Sequence, residues 1–137
     1  MDRNLQIIGM AKKAGLLAVG ADATYSAART RKAWLIITTN DASESALRRA
    51  RHSAEAGGVL HVTVPYSGFE LGNVSGRGSP LMVAILDAGL AASFLKGLAT
   101  LFPESYGAQA DLAAQKAHAQ QEKRKKNVKS GNRRAVQ

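Results

Sequence analysis

Two short stretches of this chain carry small residues and free backbone amides in a pattern that can seat an anion or a base edge. The first is Gly20-Ala21-Asp22, inside the segment GLLAVGADATYS at residues 15–26. Gly20 can adopt backbone angles closed to other residues, and the residues after it open a helix whose first N–H groups have no partner within that helix. Such a corner is a ready seat for a phosphate. Asp22 opposes a phosphate by its own charge, and a plain strand-to-helix turn is the ordinary alternative. The second stretch is the loop at residues 72–80, GNVSGRGSP. There Gly76, Gly78 and Ser79 let a partner approach the backbone, and Arg77 supplies a cation able to contact phosphate or stack on a base. A flexible connector is its ordinary alternative. Neither stretch is a nucleotide P-loop or a dinucleotide fingerprint, because no Gly-Lys-Ser/Thr follows the loop and no G-x-G-x-x-G follows a strand.

Little else in the chain suggests chemistry. His52, His61 and His118 stand singly, on a helix face, in a strand and near the C-terminal end, and no H-E-x-x-H, G-x-S-x-G or paired-carboxylate motif occurs. The expectation is a non-enzymatic protein with no metal and no cofactor. Arg48, Arg49 and Arg51 read as a solvated helix face. With no cysteine, neither a disulfide framework nor a zinc-thiolate site is available, and packing alone must hold the scaffold.

Charge points outward, to a polyanion. The 137 residues carry 19 Lys and Arg against 10 Asp and Glu, a net charge of +9. Residues 1–103 hold 11 basic and 7 acidic side chains, and residues 104–137 hold 8 and 3, so the last quarter of the chain carries over half of the excess. No segment approaches the length of a membrane span, and the first residues lack the apolar run and cleavage site of a secretory leader. A cytoplasmic protein, without membrane contact and monomeric, is expected.

The elements that must position these stretches follow from hydrophobic periodicity. Residues 4–14 place Leu5, Ile8 and Ala11 at helical spacing, with Gly15 ending the helix and Lys12 and Lys13 beside the turn. A short apolar strand at 16–19 leads to a helix through about Thr30, with Asp22 or Gly20 as its cap. Residues 34–39, WLIITT, form the clearest strand, apolar on both faces as in a covered sheet. Asp41 or Ser43 caps a helix to about Ala56, stopped by Gly57-Gly58. A third strand spans 59–64, Ser67 caps a short helix, and a fourth strand spans 81–86. Asp87 opens a helix striped by Leu90, Phe94 and Leu98, with Pro103 just beyond its end. Helices alternating with covered strands predict an α/β chain folded as a three-layer α/β/α sandwich around a small four-stranded mixed sheet. Residues 1–103 form the domain on this reading. Residues 104–137 form a basic extension, partly helical and then disordered, with too few bulky apolar residues to dock on the core.

The runs IIGMAKKAGLLAVGADATYSAARTRKAWLIITTNDAS and FELGNVSGRGSPLMVAILDAGLA resemble the kink-turn RNA-binding family of small ribosomal proteins, the large-subunit seven-Ae and thirty-e type. They look closest to its bacterial YlxQ-like branch. The resemblance covers residues 5–98 and implies a three-layer sandwich that binds a sharply bent RNA internal loop. It implies contact through the corner after the first strand and the loop before the last. The family's corner reads Gly-x-Asn-Glu-x-x-Lys, and the matching positions here are Gly20, Asp22, Ala23 and Ser26. Only the glycine is kept. Asp22 lacks an amide donor, Ala23 has no polar side-chain atom, and Ser26 lacks the lysine's charge. Each base-reading group lost forfeits about 1–3 kcal/mol of discrimination. The implied function is RNA binding with altered or relaxed specificity, Lys12, Lys13, Arg77 and the basic extension supplying sequence-independent affinity. The alternative is a protein-interaction module on the same fold that has lost RNA binding.

Overall fold

Short apolar segments fix the centre of the molecule. In this computed structural model, which describes residues 2–76 and 78–136 with side chains as far as residue 126, the elements run α1 (Arg3–Lys13), β1 (Leu17–Val19), α2 (Ala21–Arg29), β2 (Leu35–Thr38), α3 (Glu44–Gly57), β3 (Leu60–Thr63), α4 (Gly68–Ser75), β4 (Met82–Ile85), α5 (Ala88–Leu101) and α6 (Pro103–Val136). The strands form one mixed sheet in the order β1-β4-β2-β3. β4 lies antiparallel to both neighbours, with Val19 opposite Val83 and Ile37 opposite Val83, while β2 and β3 are parallel with Ile37 opposite Val62. The three-layer α/β/α architecture read from the sequence is the one observed.

Side-chain alternation along the strands sends each residue to one of two cores. On one face Leu17, Leu35, Ile37, Val62, Val83 and Ile85 meet Leu5, Ile8, Leu71, Phe94, Leu95 and Leu98 from α1, α4 and α5. On the other, Ala18, Ile36, Met82 and Ala84 meet Ala27, Ala28 and Ala50 from α2 and α3. β2 and β4 are buried along their whole length, because they lie inside the sheet and are covered on both faces.

Local signals set the helix starts. Ser43 Oγ accepts from the Ala46 amide, Ser67 and Glu70 form a reciprocal capping box, and an Asp87 carboxylate oxygen accepts from the Leu90 amide. Asp2 caps α1 by accepting from the Asn4 amide at 2.7 Å, so that helix starts earlier than its apolar stripe. Asp41, the other candidate cap for α3, instead accepts from the Gly68 amide at 3.0 Å and ties the β2–α3 turn to α4. Those hydrogen bonds, from the Thr39 side chain first and the Gly68 amide next, hold its carboxyl below the usual range.

The expectation that residues beyond 104 would not dock is corrected. α6 packs along α5, buries Ala113, and lays Tyr106 and Ala110 against the core. The Tyr106 hydroxyl donates to the Thr63 carbonyl at 2.7 Å, and burial pushes its pKa up. Bulk is not needed here, because an alanine face brings two helix axes closer and makes contact that way. No helix among the described residues is long and apolar enough to cross a membrane.

Candidate nucleic-acid interface

Strand pairing decides which of the sequence-predicted residues meet. β1, β2 and β3 all end at one rim of the sheet, and β4 begins there. Gly20 follows β1 directly and its amide donates to the Met82 carbonyl at 2.8 Å, at the start of β4. The loop at residues 76–80 feeds into that same point. The loop leads into β4, so the antiparallel pairing of β1 with β4 puts Gly20 at the strand end that this loop enters, although nearly sixty residues separate the two stretches in the chain. Arg77 lies outside the described residues.

Gly20 has φ 94° and ψ 166°, in the region that favours glycine, and serves as the N-cap of α2 with no side chain to cap it. A Cβ placed on it would meet nothing within 4 Å, so the backbone there faces open space. The two other helices that start at this rim, α3 and α4, have their first amides capped by Ser43 and Ser67. Across the rim, Gly76 ends α4 in the left-handed conformation at φ 74°. A Cβ on Gly68 would come within 3.0 Å of the Ser79 and Pro80 carbonyls, so the first turn of α4 presses directly on the loop. Next to Gly68, Phe69 leaves 67% of its surface exposed. Sequence periodicity gave no sign of it, because an aromatic in a short helix reads as core.

Asp22 and Ser26 are exposed on α2, one turn apart, and Ala21 is half-buried. Asp22 pairs with Arg49 of α3, Oδ1 to Nη2 at 2.7 Å, with both groups largely in solvent. Such an exposed pair is worth about 0–1 kcal/mol. A stronger partner for the guanidinium can replace the carboxylate.

Lys12 and Lys13 do not join this rim. They end α1, and the chain then turns into the start of β1, where the Leu86 amide, just past β4, donates to the Leu16 carbonyl at 2.8 Å. They stand at the opposite end of the sheet from Gly20. Arg31 and Lys32, after α2, lie at that end too. Arg31, Trp34, Lys116 and Lys123 line a hollow of about 300 Å³ between it and α6. Lys12, Lys13, Arg31, Lys32, Lys116 and Lys123 thus lie away from the glycine corner, where Arg49 beside Asp22 is the nearest cation among the described residues.

Arg48 and Arg49, read from the sequence as a solvated face, share a shallow hollow with Tyr25 and His52 across α2 and α3. Arg51 lies apart, close enough to His61 for its charge to add to burial in lowering that imidazole's pKa. Among the described residues no group of three or more metal-ligating side chains occurs.

No protein-family model matches the sequence, and no curated protein matches it. Among solved structures, a protein of unknown function from Bacillus halodurans has a TM-score of 0.64 at 18% identity, over 71% of this chain and 97% of that one. The Giardia lamblia 15.5kD RNA binding protein has a TM-score of 0.56 at 17% identity, over 84% of each chain. The chain therefore has a fold that an RNA-binding protein also uses.

Proposed function

We propose that this is a non-enzymatic RNA-binding protein that docks structured RNA, of kink-turn or ribosomal type, on the rim where β1 ends and β4 begins. The observation that carries the reading is the hydrogen bond from Gly20 to Met82, which holds an uncapped helix start at the end of β4 that the 76–80 loop enters. The shared fold supports it. In this mechanism the backbone at Gly20, Ala21 and Asp22 and at Gly76, Gly78 and Ser79 approaches the RNA, Ser26 donates or accepts a hydrogen bond, and Phe69 stacks on an unpaired base. Arg77 meets phosphate. Lys12, Lys13, Lys116 and Lys123 add salt-sensitive attraction from the far end and help to orient encounter, and the other basic residues beyond 104 add to the attraction without regard to sequence. With aspartate, alanine and serine at the three side-chain positions of the corner, recognition rests on shape and backbone more than on base edges.

Titration of the full chain with a kink-turn stem-loop, followed by fluorescence anisotropy, tests the reading. Affinity should fall steeply as salt rises, and Phe69→Ala should weaken binding by about 1–3 kcal/mol, the usual worth of one base stacked on an aromatic ring. Absence of binding at low salt by a chain shown to be folded by circular dichroism would overturn it.

One observation favours a second reading, a protein-interaction module. Leu101 and Phe102, at the junction of α5 and α6, are 58% and 44% exposed. A stoichiometric complex with a protein, stable to ribonuclease and lost in Leu101→Ser, is the outcome that would support it.

A further inference from the structure

We infer that the hollow between α2 and α3 is a second RNA subsite, taking a single-stranded nucleotide that flanks the structured element; this rests on the RNA-binding reading above. Asp22, Tyr25 and Arg29 are spaced by three and four along α2, so they share one face of the helix. Arg48, Arg49 and His52 occupy the facing side of α3. The Tyr25 and His52 rings lie nearly parallel, 15° apart with centroids at 5.7 Å, and the Arg29 guanidinium carbon sits 5.7 Å from the Tyr25 centroid. The hollow they border encloses about 410 Å³, with Ser53 at its floor.

These groups match one ligand chemistry. A stacked ring pair offers an outer ring face to a base without regard to sequence, and guanidinium groups take the phosphate beside it. The residues lining the hollow include two cations, Arg48 and Arg49, and no carboxylate; Arg29 sits beside Tyr25, and Asp22 pairs with Arg49 at its edge. Arg49 is already extended toward Asp22, at the N-terminal end of α2, and Asp22 adjoins Gly20. A strand leaving the glycine corner therefore meets Arg49 first and the aromatic pair next. Exchange of the Asp22 carboxylate for a phosphate needs only a side-chain swing, since both partners of that exposed ion pair are solvated.

The test compares two RNAs on the full chain: one blunt stem-loop, and the same stem-loop with a six-nucleotide oligouridine flank. The flank should tighten binding about tenfold. Tyr25→Ala and Arg48→Gln should each erase most of that gain while holding affinity for the blunt RNA within about twofold, and Tyr25→Phe should keep it. Arg48 lies on the helix surface, so Arg48→Gln reports even if Tyr25→Ala loosens the packing of α2. A flank that adds nothing, or variants that weaken both RNAs equally, would overturn the subsite and leave the rim reading standing. Failure of both RNAs to bind would remove the two together.

Discussion

The two helical layers that cover the sheet are made of different side chains, and they do different work. One face is sealed by Phe94, Leu95, Leu98, Ile8 and Leu71, large side chains buried to 1% exposure or less. The other is sealed mainly by alanines, Ala27, Ala28 and Ala50, over Ile36 and Ala84. Apolar burial scales with area, so most of the stabilisation comes from the first face. The alanine face gives up area for proximity. A Cβ on Gly57 would lie 2.5 Å from the Ala28 carbonyl oxygen, which shows how tightly α2 and α3 approach. That approach brings the Tyr25 and His52 rings alongside each other. Stability and surface design are thus divided between opposite sides of one sheet.

The division can be broken most sharply at Phe94. Phe94→Ala should cost about 3–5 kcal/mol by lost transfer energy and an unfilled cavity. Urea denaturation would measure it, and RNA binding by the fraction still folded should be unchanged. Gly57→Ala attacks the other layer. The methyl group meets backbone, not a flexible side chain, so α2 and α3 must separate at a cost of about 1–3 kcal/mol. Here the loss of stability should be smaller and the flank-dependent part of RNA binding should fall. If Gly57→Ala left the flank effect whole, the link between close packing and the α2–α3 surface would be lost.

Much of this was legible in the sequence because it depends on local order. Four apolar runs gave four strands, and Ser43, Ser67 and Asp87 marked helix starts by the chemistry of their own side chains. Gly20 was legible as a corner. What sequence did not carry was pairing across distance. That β1 joins β4 antiparallel puts Gly20 and the entry of the 76–80 loop at one rim, and Lys12 and Lys13 at the other; the family resemblance grouped the first two, but no residue near either segment encodes it locally. Tyr25 and His52 were invisible as a pair for the same reason, each being an ordinary surface residue on its own helix. The docking of α6 was missed because alanine was weighed by bulk, whereas Ala113 contributes by letting a helix come near.

His61 gives a smaller handle on the alanine side, at its polar edge. The imidazole lies on β3 with Nε2 2.9 Å from the Thr38 hydroxyl, and Thr63 Oγ1 is 2.9 Å from that same hydroxyl. Burial, and then the charge of Arg51, lowers its pKa from 6.5. As pH falls through 6.5 the unfolded chain therefore takes up a proton that the folded chain still refuses, and stability declines. The melting temperature should drop between pH 7.5 and pH 5.5, and His61→Gln should flatten that drop. An equal drop in the variant would show that other groups carry it.

The smallest expected effects separate the two faces at single atoms. Thr24 Oγ1 on α2 and Ser75 Oγ on α4 are both buried and find no hydrogen-bond partner among the described residues. A buried hydroxyl left unpaired opposes folding, so replacing it by an apolar group of similar shape should be neutral or stabilising by up to about 1 kcal/mol. Thr24→Val and Ser75→Ala make that exchange on opposite layers. Equal, slightly favourable shifts in urea midpoint would mean that each oxygen is only a packing atom. A loss in Thr24→Val alone would mean that its hydroxyl binds an ordered water under the first turn of α2, and the uncapped corner at Gly20 would then owe part of its geometry to that water.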